Sequence, residues 1–158
     1  MSKDAKKVID LLNEARSREL TAVLQYMVQH YDLANQDYGK LAKVIKQFAI
    51  VEMKNAEAFG ERIVFLGGTP TSKPDAEIKK NQTIPQMIAT DVALEDQAIK
   101  MYNEAAAACA ELGDRVTKDL FEKILGDEDG HLDEFTNIQD HVEKLGNVYL
   151  ATLTGTGA

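Results

Sequence analysis

The sequence predicts an all-α protein: a bundle of four long helices, one long crossover between the second and third, and a short fifth helix at the C-terminus. Three observations carry this. Apolar residues recur at helical spacing along four long segments, and no stretch shows the period of two of a half-buried strand. Only three prolines occur, Pro70, Pro74 and Pro85, and the first two share one stretch, so long uninterrupted segments lie on either side. Residues 67–83 form a 17-residue connection without structure of its own, which a compact chain keeps only for a reason.

The first helix, about residues 4–36, carries Val8, Leu11, Leu12, Ala15, Ala22, Val23 and Tyr26 at helical spacing. Asp37-Tyr38-Gly39 breaks it from the second, about 40–66, whose stripe is Leu41, Ile45, Phe48, Phe59, Ile63 and Leu66. A helix of about 27 residues is roughly 40 Å long. Seventeen extended residues reach at most about 56 to 61 Å. The connection therefore runs the length of the bundle and starts the third helix beside the start of the second. That helix, about 84–112, opens on Thr83-Ile84-Pro85-Gln86, a capping box with proline in the first turn. Its stripe is Ile88, Leu94, Ala98, Tyr102, Ala105 and Leu112. Gly113 and Asp114 stop it and cap the fourth, about 115–145, which carries Val116, Leu120, Phe121, Ile124, Leu132, Phe135, Ile138, Val142 and Leu145. Gly146 ends that helix. Residues 147–153 form a short fifth helix before a frayed tail, Thr154-Gly155-Thr156-Gly157-Ala158.

The 158 residues suit one domain spanning 1–158. A single cysteine, Cys109, excludes an internal disulfide and a cysteine-based zinc site. Eighteen basic against 26 acidic residues give a net charge of −8. Such a surface repels nucleic acid and anionic membrane and attracts cations. The charged N-terminus has no signal-peptide pattern, and no apolar run is long enough to span a bilayer, so the expectation is a cytoplasmic protein.

The apolar stripes carry carboxylates where leucine or alanine belongs. Glu19 lies four after Ala15 and three before Ala22; Glu52 lies four after Phe48; Glu95 lies three before Ala98; Glu128 lies four after Ile124. A carboxylate inside a bundle must be paired, protonated or metal-bound. The spacing is regular: 33 residues from Glu19 to Glu52 and 33 from Glu95 to Glu128, with Asn55 three after Glu52 and His131 three after Glu128. The two halves are offset by 76 throughout. At i and i+3 two side chains share a helix face. Folding the halves together brings four carboxylates, Asn55 and His131 to one level, an oxygen and imidazole set suited to iron or manganese. Solvated glutamates on misjudged registers are the competing reading.

The chain resembles the bacterioferritins over nearly its whole length. The likeness is carried by Arg18-Glu19-Leu20-Thr21-Ala22 with Gln25-Tyr26, by Glu52-Met53-Lys54-Asn55-Ala56-Glu57, by Glu61-Arg62-Ile63-Val64-Phe65-Leu66-Gly67-Gly68, by Asp91-Val92-Ala93-Leu94-Glu95 and by Asp127-Glu128-Asp129-Gly130-His131. The resemblance implies a ferritin-like four-helix bundle, a homo-oligomeric 24-subunit shell built from two-fold dimers, iron storage, and a di-iron ferroxidase site inside each subunit. It implies metal ligands Glu19, Glu52, Glu95, Glu128 and His131, with Glu52 and Glu128 bridging. It places Tyr26 beside the site and implies oxidation of Fe(II) by O2 or hydrogen peroxide. It also implies haem b at the two-fold interface, held by Met53. On the residues alone, Met53 with small neighbours Ala49, Ala56 and Gly60 suits either a flat porphyrin or an ordinary helix-packing seam.

The sequence departs from that family pattern at Asn55, where a histidine is implied. An amide oxygen is a weak neutral ligand, so one metal is held more loosely and ferroxidase turnover is weakened. Two alternatives follow: a ferroxidase-impaired structural or haem-binding subunit of a mixed shell with a second bacterioferritin subunit type, or a non-storage di-iron oxidase or peroxidase. His30 and His141 are read as surface or packing histidines and Cys109 as buried packing. Gly126 and Gly130, in helix-weakening positions, suggest a close approach of backbone or subunit.

Overall fold

The computed structural model describes residues 2–156. Within these residues five helices follow one another, α1 (Lys3–Asn35), α2 (Gly39–Phe65), α3 (Ile84–Glu111), α4 (Arg115–Leu145) and α5 (Asn147–Ala151). Among the described residues there is no strand and no helix long and apolar enough to cross a membrane. Local chemistry sets the helix ends. Ser2 Oγ accepts from Ala5 N at 3.1 Å at the start of α1. Thr83 and Gln86 form the reciprocal capping box of α3, and the Asp114 carboxylate accepts from Thr117 N at 2.9 Å at the start of α4. Arg62 ties the end of α2 to this cap through Thr117 Oγ1 at 2.9 Å and Asp114 Oδ1 at 3.1 Å.

Helix directions follow from the crossing contacts. Tyr26 meets Glu95 while Tyr102 meets Glu19, so α1 and α3 run antiparallel. Phe48 packs on Phe135 while Phe59 packs on Phe121, so α2 and α4 do too. The 76-residue offset appears as an approximate two-fold exchanging α1 with α3 and α2 with α4. Tyr26 packs on Phe135 at 5.6 Å and its counterpart Tyr102 packs on Phe59 at 5.5 Å.

The core is split in two. One cluster gathers Leu12, Ala15, Phe59, Ile63, Ala98, Tyr102, Phe121 and Ile124; the other gathers Ala22, Tyr26, Ile45, Phe48, Leu94 and Phe135. Between them lies a layer of buried polar side chains, Glu19, Glu52, Asn55, Glu95, Glu128 and His131. Apolar packing on both sides holds the helices at the spacing that this layer requires.

The crossover owes its course to polar side chains of α1. Asn13 donates to Thr69 O at 3.1 Å and accepts from Thr71 N at 2.8 Å. Arg16 donates to Thr71 O, and Thr21 Oγ1 accepts from Asp75 N at 2.9 Å. Gln25 pairs both ways with the backbone of Lys79, at 2.9 and 2.8 Å. The connection climbs α1 in the same direction as the helix, which delivers it to the start of α3.

Three expectations need correction. The fifth helix stops at Ala151 and turns through Leu153. Residues 154–156 do not fray: Gly155 N donates to Asp37 O at 3.0 Å, and Gly155 pairs with Tyr38 in an isolated bridge, while Gly157 and Ala158 lie outside the described residues. Gly39 is the permissive residue there, because a Cβ would fall 1.7 Å from Gly155 O. Finally, a Cβ on Gly126 or Gly130 would meet nothing within 4 Å, so neither glycine admits a close approach within the chain.

Candidate metal centre

Each of the four long helices contributes one carboxylate to the layer between the two core clusters. Glu19 comes from α1, Glu52 from α2, Glu95 from α3 and Glu128 from α4, all at most 1% exposed. The structure brings Glu52, Glu95, Glu128 and His131 together so that one ligand atom of each lies within 4.8 Å of all the others. His131 Nδ1 approaches Glu52 Oε1 at 3.0 Å and Glu95 Oε1 at 3.5 Å, yet neither contact has hydrogen-bond geometry. Glu19 stands outside this group, close enough to Glu52 to feel its charge.

The carboxylates are not satisfied by the protein. Glu19 Oε2, Glu52 Oε1, Glu95 Oε2 and Glu128 Oε2 are buried without a partner, as is His131 Nδ1. Orphaned buried acceptors at one level are expensive unless something cationic sits among them. Burial, and then the charge of Glu52, raises the Glu19 carboxyl well above its ordinary range. Burial likewise raises Glu52. Burial and the Glu19 charge push Glu128 up to about 12. Burial thus favours the protonated form of Glu19, Glu52 and Glu128, and a divalent cation held among them would take the place of those protons.

Asn55 is buried beside the cluster, and its Nδ2 donates to Glu128 Oε1 at 3.4 Å. Its amide thus spends its nitrogen on a carboxylate, leaving the carbonyl oxygen as its only donor atom for a metal. Tyr26 Oη donates to Glu95 Oε1 at 2.5 Å and is fully buried. Its phenol is raised by burial and by the Glu95 charge, so it stays an O–H donor.

Sequence reasoning missed two residues. Tyr102, taken only as part of an apolar stripe, donates from Oη to Glu19 Oε1 at 2.5 Å. The signal was present, since Tyr102 stands 76 residues after Tyr26. Asp91, one turn before Glu95, is a fully buried carboxylate that accepts from Gln29 Nε2 at 2.7 Å and is raised by burial. Its place on the buried stripe of α3 was the signal.

Met53 lies apart from the cluster. It is 52% exposed and borders an open groove of about 570 Å³ between α1, α2 and the crossover, with Leu20, Val23, Ala56, Gly60 and Val64. Ala49 is buried in the core instead of flanking that groove, and Gly60 makes room for the Arg16 guanidinium, 3.1 Å from where a Cβ would stand. His30 is half-buried and donates to Ala42 O at 2.7 Å, while His141 is exposed and donates to Asn137 O at 2.7 Å. Cys109 is buried in the core, its thiol pushed up to about 11 by that burial, which leaves it inert.

Comparison with known proteins agrees with this geometry. The model of the ferritin-like domain matches residues 9–145. A bacterioferritin of Desulfovibrio desulfuricans is 45% identical over 150 residues, covering 95% of this chain and 84% of the relative. One of Rhodobacter capsulatus is 41% identical over 129 residues, covering 80% of this chain and 79% of the relative. Among solved structures, the Desulfovibrio desulfuricans bacterioferritin, described with its diiron site in different catalytic states, superposes with a TM-score of 0.94 at 43% identity, covering 98% of this chain and 93% of that one. The Mycobacterium tuberculosis bacterioferritin superposes with a TM-score of 0.90 at 29% identity, covering 94% of each chain.

Proposed function

The chain belongs to the bacterioferritin family, and on that premise we propose that it stores iron by oxidising Fe(II) at the buried carboxylate layer and depositing the ferric product inside a shell of its own subunits. The observation that carries the reading is the convergence of Glu52, Glu95, Glu128 and His131, each with a buried donor atom left without a partner. Two Fe(II) ions are the substrate. Glu95 and His131 would hold one, Glu19 and the Asn55 side would hold the other, and Glu52 and Glu128 would be shared between them. The two irons together would give two electrons, which with two protons reduce O2 to hydrogen peroxide or hydrogen peroxide to two waters.

The residues supply three things to that reaction. Negative charge, which appears as the carboxylates lose their protons to the incoming cations, favours Fe(III) over Fe(II). Tyr26 orients Glu95 by its hydrogen bond. The apolar clusters on either side keep bulk water from the layer. Asn55 makes the two halves unequal and weakens turnover, because an amide replaces an imidazole on one metal.

Haem b at a two-fold between paired subunits, with Met53 as its ligand, belongs to the same reading. The half-exposed Met53, the groove beside it, and the exposed Leu24, Tyr31, Val64 and Phe65 on α1 and α2 support it. A 24-subunit homo-oligomeric shell in the cytoplasm is the assembly that accompanies it. Asn55 favours one second reading, a subunit that depends on a catalytic partner subunit in a mixed shell. A non-storage di-iron oxidase or peroxidase is separated by size, since only a shell elutes at hundreds of kilodaltons.

The test is the initial rate of aerobic Fe(II) oxidation for the wild type and Asn55→His, followed by near-UV absorbance. A slow wild type with a fast phase restored by histidine supports a weakened ferroxidase. A fast wild type refutes the weakening by Asn55. No oxidation in either protein refutes the ferroxidase reading.

A further inference from the structure

The half-site of Glu19 and Asn55 lacks an imidazole, and a different side chain stands where it gains support. We infer that Tyr102 is a positioning residue for that half-site, its phenol fixing the Glu19 carboxylate so that the free oxygen faces the metal. The inference rests on the di-iron reading of the cluster and names a residue which that reading leaves out.

The geometry of Tyr102 suits this role. Its side chain is fully buried and boxed by Phe59 at 5.5 Å and Phe121 at 5.8 Å between ring centroids. The box leaves its hydroxyl two acceptors, Glu19 Oε1 at 2.5 Å and Ala15 O at 3.3 Å. With Oε1 engaged, Glu19 Oε2 is buried and unpartnered. That oxygen is therefore the one left for a cation.

The other half-site repeats the arrangement in mirror order. Tyr26 of α1 donates to Glu95 Oε1 of α3, and Glu95 Oε2 is left without a partner. Tyr102 of α3 donates to Glu19 of α1. Each tyrosine therefore serves the glutamate of the opposite half. The halves match in their tyrosines and differ in Asn55 against His131. Where the imidazole is missing, the metal depends more on Glu19, and so on the group that holds Glu19 in one rotamer. A hydrogen bond to a ligating carboxylate fixes its orientation, and losing such a partner weakens metal binding by about 10- to 100-fold.

The experiment is an anaerobic Co(II) titration of the metal-free, full-length protein, read by the visible d–d absorption of bound cobalt, with circular dichroism as the check on folding. The wild type is expected to bind two Co(II) per subunit in two affinity classes. Tyr102→Phe should weaken one class by about 10- to 100-fold and leave the other unchanged, while Tyr26→Phe does the reverse. Adding Asn55→His to Tyr102→Phe should recover the weakened class. In a Glu19→Gln background, Tyr102→Phe should have no further effect, because the tyrosine acts through that carboxylate. Two Co(II) bound, both displaced by Glu128→Gln and neither moved by Tyr102→Phe, overturns the positioning role and leaves the di-iron reading standing. A single Co(II) per subunit unmoved by Tyr102→Phe overturns the role as well. No Co(II) in the cluster overturns both.

Discussion

Replacing Glu128 with glutamine should destroy the proposed metal site and stabilise the metal-free fold, and the size of the gain follows from where the carboxyl sits. Glu128 is 1% exposed, has an unpartnered Oε2, and is raised from 4.5 to about 12 by burial and then by the charge of Glu19. In the unfolded chain the same group ionises near 4.5. The folded form therefore holds a proton that the unfolded form releases, and stability drains away as pH rises above 4.5 toward the folded value. Each unit is worth about 1.4 kcal/mol, so at pH 7 the loss from this one group is about 3 kcal/mol. Glutamine keeps the shape, can still accept from Asn55 Nδ2, and has no proton to lose. Urea or thermal unfolding of the metal-free proteins between pH 4.5 and pH 8 is the assay. The variant should be about 3 kcal/mol more stable at pH 7, with the gap closing toward pH 4.5. Co(II) should then raise the midpoint of the wild type and leave the variant unmoved. Equal stability across the range would show that the carboxyl is ionised in the metal-free fold, and the account of the buried layer would be wrong.

Three further outcomes are expected. Met53→Leu should abolish a Soret band in protein purified with haem while helicity is retained; a persisting band would place any haem ligand elsewhere. Gly126→Ala should raise stability by roughly 0.5 to 1 kcal/mol, because the position is exposed, helical and open, and a lower unfolding midpoint would count against that. Gly39→Ala should drive its Cβ into Gly155 O and release the C-terminal strap, read as faster proteolysis after Leu153 with the bundle intact; an unchanged cleavage pattern would show that the strap does not depend on Gly39.

The helices were legible because each carries its own evidence. The Thr83–Gln86 box, Gly113 before Asp114, and Gly146 are local signals that act within one turn of chain, and the structure uses each of them. The carboxylate layer was legible for a different reason. Glu19, Glu52, Glu95 and Glu128 break apolar stripes at equal spacing, and a charged residue on a buried face has few fates. The crossover was legible only as a length. Its path depends on Asn13, Thr21 and Gln25, which read as ordinary polar residues of α1 until the loop lies against them.

The sequence by itself determined which faces of the four helices are buried, where they stop, and that two equivalent halves each bring a glutamate pair to the same level. Periodicity and capping are properties of a single helix and need no partner to be read. Only the tertiary structure decided who meets whom: that Tyr26 serves Glu95 and Tyr102 serves Glu19, that Asn55 turns its amide toward Glu128, and that Met53 looks outward onto a groove. These contacts join helices 69 to 83 residues apart in the chain. Such contacts come from packing between helices, as in the pairing of Phe48 with Phe135 and of Phe59 with Phe121 across α2 and α4, which no stripe on one helix specifies.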